Sequence, residues 1–203
     1  MSKPSYICID LDGVLVDLHT PLIELFGDDP ATYTEAQLAE VGEWGIGIPE
    51  VEGKFEKGHF WDKVRAEGAS WWAHLPKTAW CDELWNAALE TGANVVVLST
   101  PAYYPECAAG KWEWCIRNLA AKGGMAAIGD GALDESVKLP GILIGAPKYA
   151  CAKAGSWLID DRASYSKRWE REGGTIVSLR RPWNPEGREP SDIIAELRRY
   201  KEV

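Results

Sequence analysis

The sequence predicts an α/β fold: a Rossmann-like parallel sheet with helices on both faces and a small helical cap inserted after the first strand. Three observations carry this prediction. Short apolar runs alternate with helical patterns over most of the 203 residues, as expected of a parallel sheet covered on both sides. Residues 18–76 break that alternation with helical pieces and no strong strand, and the stretch is too long for a loop. Two of the apolar runs end in paired carboxylates. The expected division is a core of residues 1–17 and 77–203 and a cap of residues 18–76.

Taken in order, Tyr6 to Ile9 is a short apolar strand that runs into Asp10. Inside the insertion, Thr34-Glu35-Ala36-Gln37 has the form of a capping box, in which a hydroxyl and an amide satisfy the free donors of a helix start. Residues 79–91 read as a helix closed by Gly92. Residues 94–98 (NVVVL) are β-branched and wholly apolar after Asn94, as a buried parallel strand is. A helix over 106–122 follows Pro105 and ends at Gly123-Gly124, and the glycine-rich stretch 123–138 is assigned to no element. Residues 141–144 (GILI), 157–159 (WLI) and 175–179 (TIVSL) supply three more strands. A helix over 163–172 stops at Gly173-Gly174, and an irregular connector covers 181–190 (RPWNPEGREP). The final helix spans 191–201, with Ser191 as its N-cap after Pro190.

Composition narrows the function classes. With 46% hydrophobic and 26% charged residues, the chain is neither disordered nor fibrous. Its formal charge of −9 argues against an extended grip on a nucleic-acid backbone, which needs basic patches. A single anion in a local positive pocket remains compatible with that charge. No apolar run reaches the roughly 18 residues of a membrane span. The start, MSKPSYICID, lacks the basic-then-apolar pattern of a secretion signal. Five scattered cysteines without a CxxC fit a reducing, cytoplasmic setting rather than a disulfide framework or zinc site. A homodimer is left open.

The strongest chemical signal is Asp10-Leu11-Asp12-Gly13-Val14-Leu15-Val16-Asp17. Asp10 and Asp12 fall at the C-terminal end of a strand, the edge where open parallel sheets bind ligands. Neighbouring carboxylates repel and need a cation or a proton between them, and Mg²⁺ suits such hard oxygen ligands. The bland reading of Asp and Gly here is an ordinary turn. A second pair, Asp160-Asp161, follows Trp157-Leu158-Ile159 and reaches the same edge by the same logic, which makes a metal site the better account. Ser99-Thr100-Pro101 ends another strand, where hydroxyls can meet a phosphate oxygen.

DLDGVLVD, VVVLST and LIDD, in this order, resemble three motifs of the haloacid dehalogenase superfamily of phosphohydrolases. STPAYYPECAAGKWEW is similar to the region after the second motif in the 5′(3′)-deoxyribonucleotidase family. The likeness covers Asp10–Asp17, Trp71–Trp114 and Lys148–Arg162, and more loosely Arg181-Pro182-Trp183-Asn184. It implies Asp10 as the nucleophile that forms an aspartyl-phosphate, and Asp12 as the acid and base. It implies Mg²⁺ held by Asp10, the backbone carbonyl of Asp12 and Asp161, with Asp160 behind. Ser99 and Thr100 would bind phosphate. The phosphate-stabilising lysine falls on Lys111, one residue closer than the family spacing, or on Lys148, two residues further, with Lys153 a poorer third. Trp71 and Trp72 match cap aromatics that stack on a nucleobase, worth ~1–3 kcal/mol, although they serve equally as the core of the insertion. His19 follows the motif loop within reach of the site, with a surface or helix-capping role the expectation.

The function so implied is Mg²⁺-dependent hydrolysis of a small phosphate monoester, a nucleoside monophosphate and foremost a deoxyribonucleotide. Another small phosphoester or a polynucleotide 3′-phosphate is the alternative substrate. The polynucleotide is disfavoured by the acidic charge and by Ser-Thr-Pro where that class resembles Ser-Gly-Arg. An inactive binding module of the same fold is the alternative of another class, disfavoured because a binder need not keep both Asp10 and Asp12.

Overall fold

The structure is a computed structural model that describes residues 3–39, 59–119, 141–145, 147–162, 164 and 166–201. The glycine-rich stretch 123–138 and residues 120–122 of the expected helix before it lie outside the described residues. Five strands, β1 (Tyr6–Ile9), β2 (Asn94–Ser99), β3 (Gly141–Ile144), β4 (Ser156–Asp160) and β5 (Thr175–Ser178), form one parallel sheet in the order β3-β2-β1-β4-β5. Register pairs Ile9 with Val97 of β2 on one side and with Ile159 of β4 on the other. The chain moves from β1 outward through β2 to β3, then crosses back to β4. The order therefore reverses beside β1, and a crevice at the strand ends results from that reversal.

Side chains alternate across the sheet, so each short apolar strand serves two faces. Ile7, Ile9, Val95, Val97, Trp157, Ile159 and Val177 face the larger core cluster. Cys8, Leu98 and Leu158 face the smaller one, closed by Trp169. Over the larger face lie α5 (Cys81–Glu90), α6 (Pro105–Leu119) and α8 (Pro190–Arg198). Over the other lies α7 (Ser166–Arg171), which carries Trp169.

Helix ends reflect their local chemistry. After α5, Gly92 adopts φ 73°, the left-handed geometry a glycine takes without a Cβ clash. The final helix starts one residue earlier than expected. Its N-cap is Glu189 and Pro190 is the first helical residue, not Ser191 the cap. Proline's fixed φ suits the first turn, where its missing N–H is no loss. This helix also ends at Arg198 rather than at residue 201.

Between β1 and α5 the chain inserts α1 (His19–Leu25), a 3₁₀ turn (Pro30–Thr32), α2 (Glu35–Ala39), α3 (His59–Ala66) and α4 (Gly68–Ala73). The expected capping box forms at α2. Gln37 N–H donates to Thr34 Oγ1 at 3.2 Å, and Thr34 N–H donates to Gln37 Oε1 at 2.9 Å. Phe26 stacks on Phe60 at 4.8 Å, and both belong, with Val64 and Trp72, to the same cluster as the sheet's larger face. The described part of the insertion thus shares the core of the sheet.

A close joint between insertion and core lies at Gly110 in α6. A Cβ there would overlap the Ala69 carbonyl and Trp72 Cβ of α4. Gly110→Ala gains up to ~1 kcal/mol of helix propensity. Overpacking against backbone costs more, so a net loss of about 1–2 kcal/mol is expected, read as a lower denaturation midpoint at unchanged m-value.

Candidate active site

The site is assembled by β-sheet register. Asp10 directly follows β1, and its N–H donates to Ile159 O at 2.9 Å, which seats it beside Asp160 at the end of β4. Asp161 is the next residue. One carboxylate oxygen from each of Asp10, Asp160 and Asp161 lies within 4.8 Å of the other two, all three residues buried. Ser99 ends β2 on the other side of β1, 1% exposed.

After Asp10 the chain turns sharply. Gly13 has φ 77°, and a Cβ at this position would strike Asp161 Oδ2. Glycine is therefore required twice, for conformation and for room. The turn is closed by Gly13 N–H to Val16 O at 2.8 Å and Val16 N–H to Leu11 O at 2.8 Å. The carbonyl of Val14 is gripped from outside by Thr78 Oγ1 at 2.9 Å and by the Trp80 indole N–H at 2.8 Å.

The two candidate lysines are both present, with separate partners. Lys148 opens the 3₁₀ turn Lys148–Cys151, and its Nζ bridges Asp10 Oδ2 at 2.8 Å and Asp160 Oδ2 at 2.7 Å. Lys111, in the first half of α6 and 2% exposed, donates to Asp12 Oδ2, to Ser99 Oγ at 3.0 Å and to the Thr100 carbonyl at 3.3 Å. Lys153 lies elsewhere, its Nζ 3.2 Å from the Tyr6 ring centroid.

Asp160 and Asp161 are adjacent in sequence but differ in surroundings. Both oxygens of Asp160 are engaged, Oδ2 by Lys148 and Oδ1 by the Arg162 N–H at 2.9 Å. Asp161 Oδ2 accepts from the Trp183 indole N–H at 2.8 Å, while its Oδ1 is buried with no hydrogen-bond partner among the described residues. Asp12 Oδ1 is orphaned in the same way. Burial pushes the Asp161 carboxyl well above the usual carboxylate range, and the nearby charges of Asp160 and Asp10 push it further. Asp160 is also raised by burial, with Lys148 pulling it back. Burial alone would lower the Lys148 ammonium, but Asp10 and Asp160 hold it above its ordinary value.

Four carboxylates thus face two ammonium groups. If all are ionised, negative charge is in excess, and an orphaned carboxylate oxygen sits in the three-aspartate cluster. These residues fit a divalent cation: all are hard oxygen donors, with Gly13 making the space that Asp161 needs.

Beside the cluster a cavity of about 340 Å³ is lined by residues that include Asp12, Thr100, Lys111, Trp61, Trp72 and Tyr104. Tyr103 and Arg162 also reach it, and Tyr103 is fully exposed. Trp72 lines the cavity at only 2% exposure, with the Lys111 ammonium 5.4 Å from its ring centroid. Trp71 is half-buried, set edge-on to Trp72 at 5.0 Å, and is not in the lining. His19 opens α1 but, against expectation, is buried rather than at the surface. It stacks on Trp183 with centroids 3.9 Å apart. Burial results because Trp183 comes back over the start of α1 from the far end of the chain.

The sequence leaves Tyr104, Arg162 and Trp183 without a site role, and Trp61 enters only as one of the insertion's aromatics, with Phe60, Trp71 and Trp72. The usable signal for Trp183 was position: the connector RPWN leaves β5 at the same sheet edge as both aspartate pairs.

Comparison with known proteins bears on the fold. No family model matches the chain, and no curated relative matches it. Among solved structures it is similar to a haloacid dehalogenase-like hydrolase from Streptococcus pneumoniae, at 14% identity over 97% of this chain and 99% of that one, TM-score 0.53. A haloacid dehalogenase superfamily hydrolase from Ehrlichia chaffeensis matches at 12% identity over 98% of each chain, TM-score 0.52. A further family hydrolase from Deinococcus radiodurans, with bound phosphate and sodium, matches at 14% identity over 97% of this chain and 89% of that one, TM-score 0.51. The fold of this chain is like that of these haloacid dehalogenase-like hydrolases, a parallel sheet with a helical insertion after its first strand.

Proposed function

We propose that the protein is a Mg²⁺-dependent phosphatase of small phosphate monoesters, acting on nucleoside monophosphates, foremost deoxyribonucleotides, through an aspartyl-phosphate on Asp10. The observation that carries this reading is the buried aspartate cluster at the β1/β4 edge, beside an aromatic-walled cavity that holds Asp12 and Lys111. The phosphate bound in the Deinococcus structure agrees with it.

Asp10, Asp161 and the Asp12 backbone carbonyl would hold the cation, with Asp160 behind them. When bound, Mg²⁺ offsets the negative charge that otherwise keeps carboxylate and phosphate apart. Asp10 is held for attack by Lys148 on Oδ2 and by the Leu11 N–H on Oδ1 at 2.8 Å. Its oxygen attacks phosphorus and the bond from phosphorus to the leaving oxygen breaks. Asp12 gives that oxygen a proton. Lys111 fixes Asp12 Oδ2, which leaves the orphaned Oδ1 to carry it. Water then attacks the aspartyl-phosphate, Asp12 takes the water's proton, and phosphate leaves with Asp10 restored. Ser99, Thr100 and Lys111 meet the phosphate oxygens, whose charge a fixed ammonium stabilises.

A cavity of about 340 Å³ suits a small molecule. Its aromatic wall supports a nucleobase as the remainder of the substrate. Trp72 contributes to that wall, but its ring is already covered. Trp61, half-buried on α3, is the better placed stacking surface, with the exposed Tyr103 at the mouth.

Phosphate release is the direct test, measured across nucleoside monophosphates and sugar phosphates with Mg²⁺ or with EDTA. Mg²⁺-dependent turnover of the nucleotides is expected, and Asp10→Asn should abolish it by more than about a thousandfold while circular dichroism stays native. Turnover confined to sugar phosphates would overturn the nucleotide assignment, and full activity of Asp10→Asn the covalent one. Trp61→Ala should raise KM for a nucleoside monophosphate about tenfold more than for a small generic phosphoester, since only the former has a base to stack.

The raised Asp161 carboxyl has a pH signature. Its folded value exceeds its unfolded one, so without a cation it disfavours folding increasingly as pH climbs from the ordinary carboxylate range through its raised value. The thermal stabilisation conferred by Mg²⁺ should therefore grow between about pH 5 and pH 8. Asp161→Asn should remove most of that growth in differential scanning fluorimetry.

A further inference from the structure

Trp183 lies on the connector after β5, in a tight turn where Arg181 and Asn184 bridge backbone to backbone. Asn184 anchors that turn. Its side-chain amide donates to Ser178 Oγ at 2.8 Å and to the Leu179 carbonyl at 2.8 Å. The indole ring is packed by His19, stacked at 3.9 Å with an interplanar angle of 27°, and by the Arg181 guanidinium, 4.7 Å from the ring centroid. Its N–H ends on Asp161 Oδ2 at 2.8 Å, and the other oxygen of that carboxylate is the orphan of the cluster.

We infer that Trp183 is a positioning residue for the cation site: its indole N–H fixes the rotation of the Asp161 carboxylate so that Oδ1 faces the ion. The inference rests on the cation-dependent reading of the site. Its physical basis is the contrast between the two neighbouring aspartates. Asp160 has Oδ2 on the Lys148 ammonium and Oδ1 on the Arg162 N–H, so neither of its oxygens is orphaned. Asp161 is partnered by an uncharged donor. An indole N–H can orient a carboxylate without cancelling its charge, so the full anion remains for the metal. A carboxylate bound at one oxygen by a rigid donor also has less rotational freedom to lose when the cation arrives. The ring can serve as a rigid donor because His19 and Arg181 pack it and Asn184 fixes its backbone.

The experiment uses the whole chain, stripped with EDTA, and Mn²⁺ as the probe ion. Trp183→Phe keeps an aromatic ring for the stack and deletes the donor. Trp183→His keeps a ring N–H. Mn²⁺ affinity measured by electron paramagnetic resonance should fall about tenfold or more in Trp183→Phe and be partly restored in Trp183→His. In the wild-type protein, the ¹⁵N-indole resonance of Trp183, assigned by through-bond connectivity, should shift on Mg²⁺ addition with the midpoint of Mg²⁺ binding. That measurement stands even if neither variant folds. Wild-type Mn²⁺ affinity in Trp183→Phe, equal losses in the Phe and His variants, or an unmoved indole resonance would each overturn the role of Trp183. Wild-type protein that binds neither ion would instead overturn the cation reading beneath it.

Discussion

Like charges brought together out of water govern this molecule. Asp10, Asp160 and Asp161 are each no more than 5% exposed, and each brings one oxygen within 4.8 Å of the others. In such surroundings a carboxylate is costly unless something positive or a proton shares it. Lys148 satisfies two of the three, and Asp161 is left to seek a proton or a cation. The rigid frame that enforces this crowding is the backbone pairing of β1 with β4. Register sets Ile9 against Ile159, and so Asp10, Asp160 and Asp161 have nowhere else to go. A cluster built this way crowds negative charge that a proton or a cation would relieve.

The two lysines divide the work that a single one does not reach. Lys148 sits between the nucleophile candidate and its neighbour Asp160, inside the sheet edge. Lys111 sits across the turn, joining Asp12 to Ser99 and Thr100 at the end of β2. One ammonium is tied to the three-aspartate cluster and the other to Asp12 and the end of β2. The turn between them is held by residues outside it, since Thr78 and Trp80 both clasp Val14 O. These residues mark the return of the chain from the insertion into the core. The geometry of the aspartates is therefore set partly by the path of the inserted helices.

Much of this was legible in the sequence because buried parallel strands are short apolar runs, and a polar residue directly after such a run must lie at the sheet edge. Asp10, Asp12, Asp160 and Asp161 could be placed on that ground alone. Gly92 and Thr34-Gln37 were readable because caps depend on a few adjacent residues. Partner choice was not readable. Nothing local says that Lys148 pairs with Asp160 while Lys111 pairs with Asp12, because each pair is joined only by tertiary packing. Nor could spacing tell that Trp61, rather than Trp71, lines the cavity, since short helices carry too few turns to fix which side faces in. Trp183 stayed hidden in an aperiodic connector. Ser191 misled because a good N-cap residue stood next to a proline that suits the first turn better.

The contact at Gly110 has a consequence for how this architecture can change. Helix α6 carries Lys111, and the residue just before it touches the α4 backbone with no side chain between. The last helix of the insertion is therefore seated against the same turn of α6 that aims an ammonium at Asp12. Transplanting a foreign insertion onto this core would succeed only if its closing helix offered an equally flat surface at the position of Ala69. A bulkier graft would tilt α6 and carry the lysine with it. Insertion and core are in this chain mechanically joined at one turn of α6, so a change in the closing helix of the first would have to be matched by an adjustment of the second.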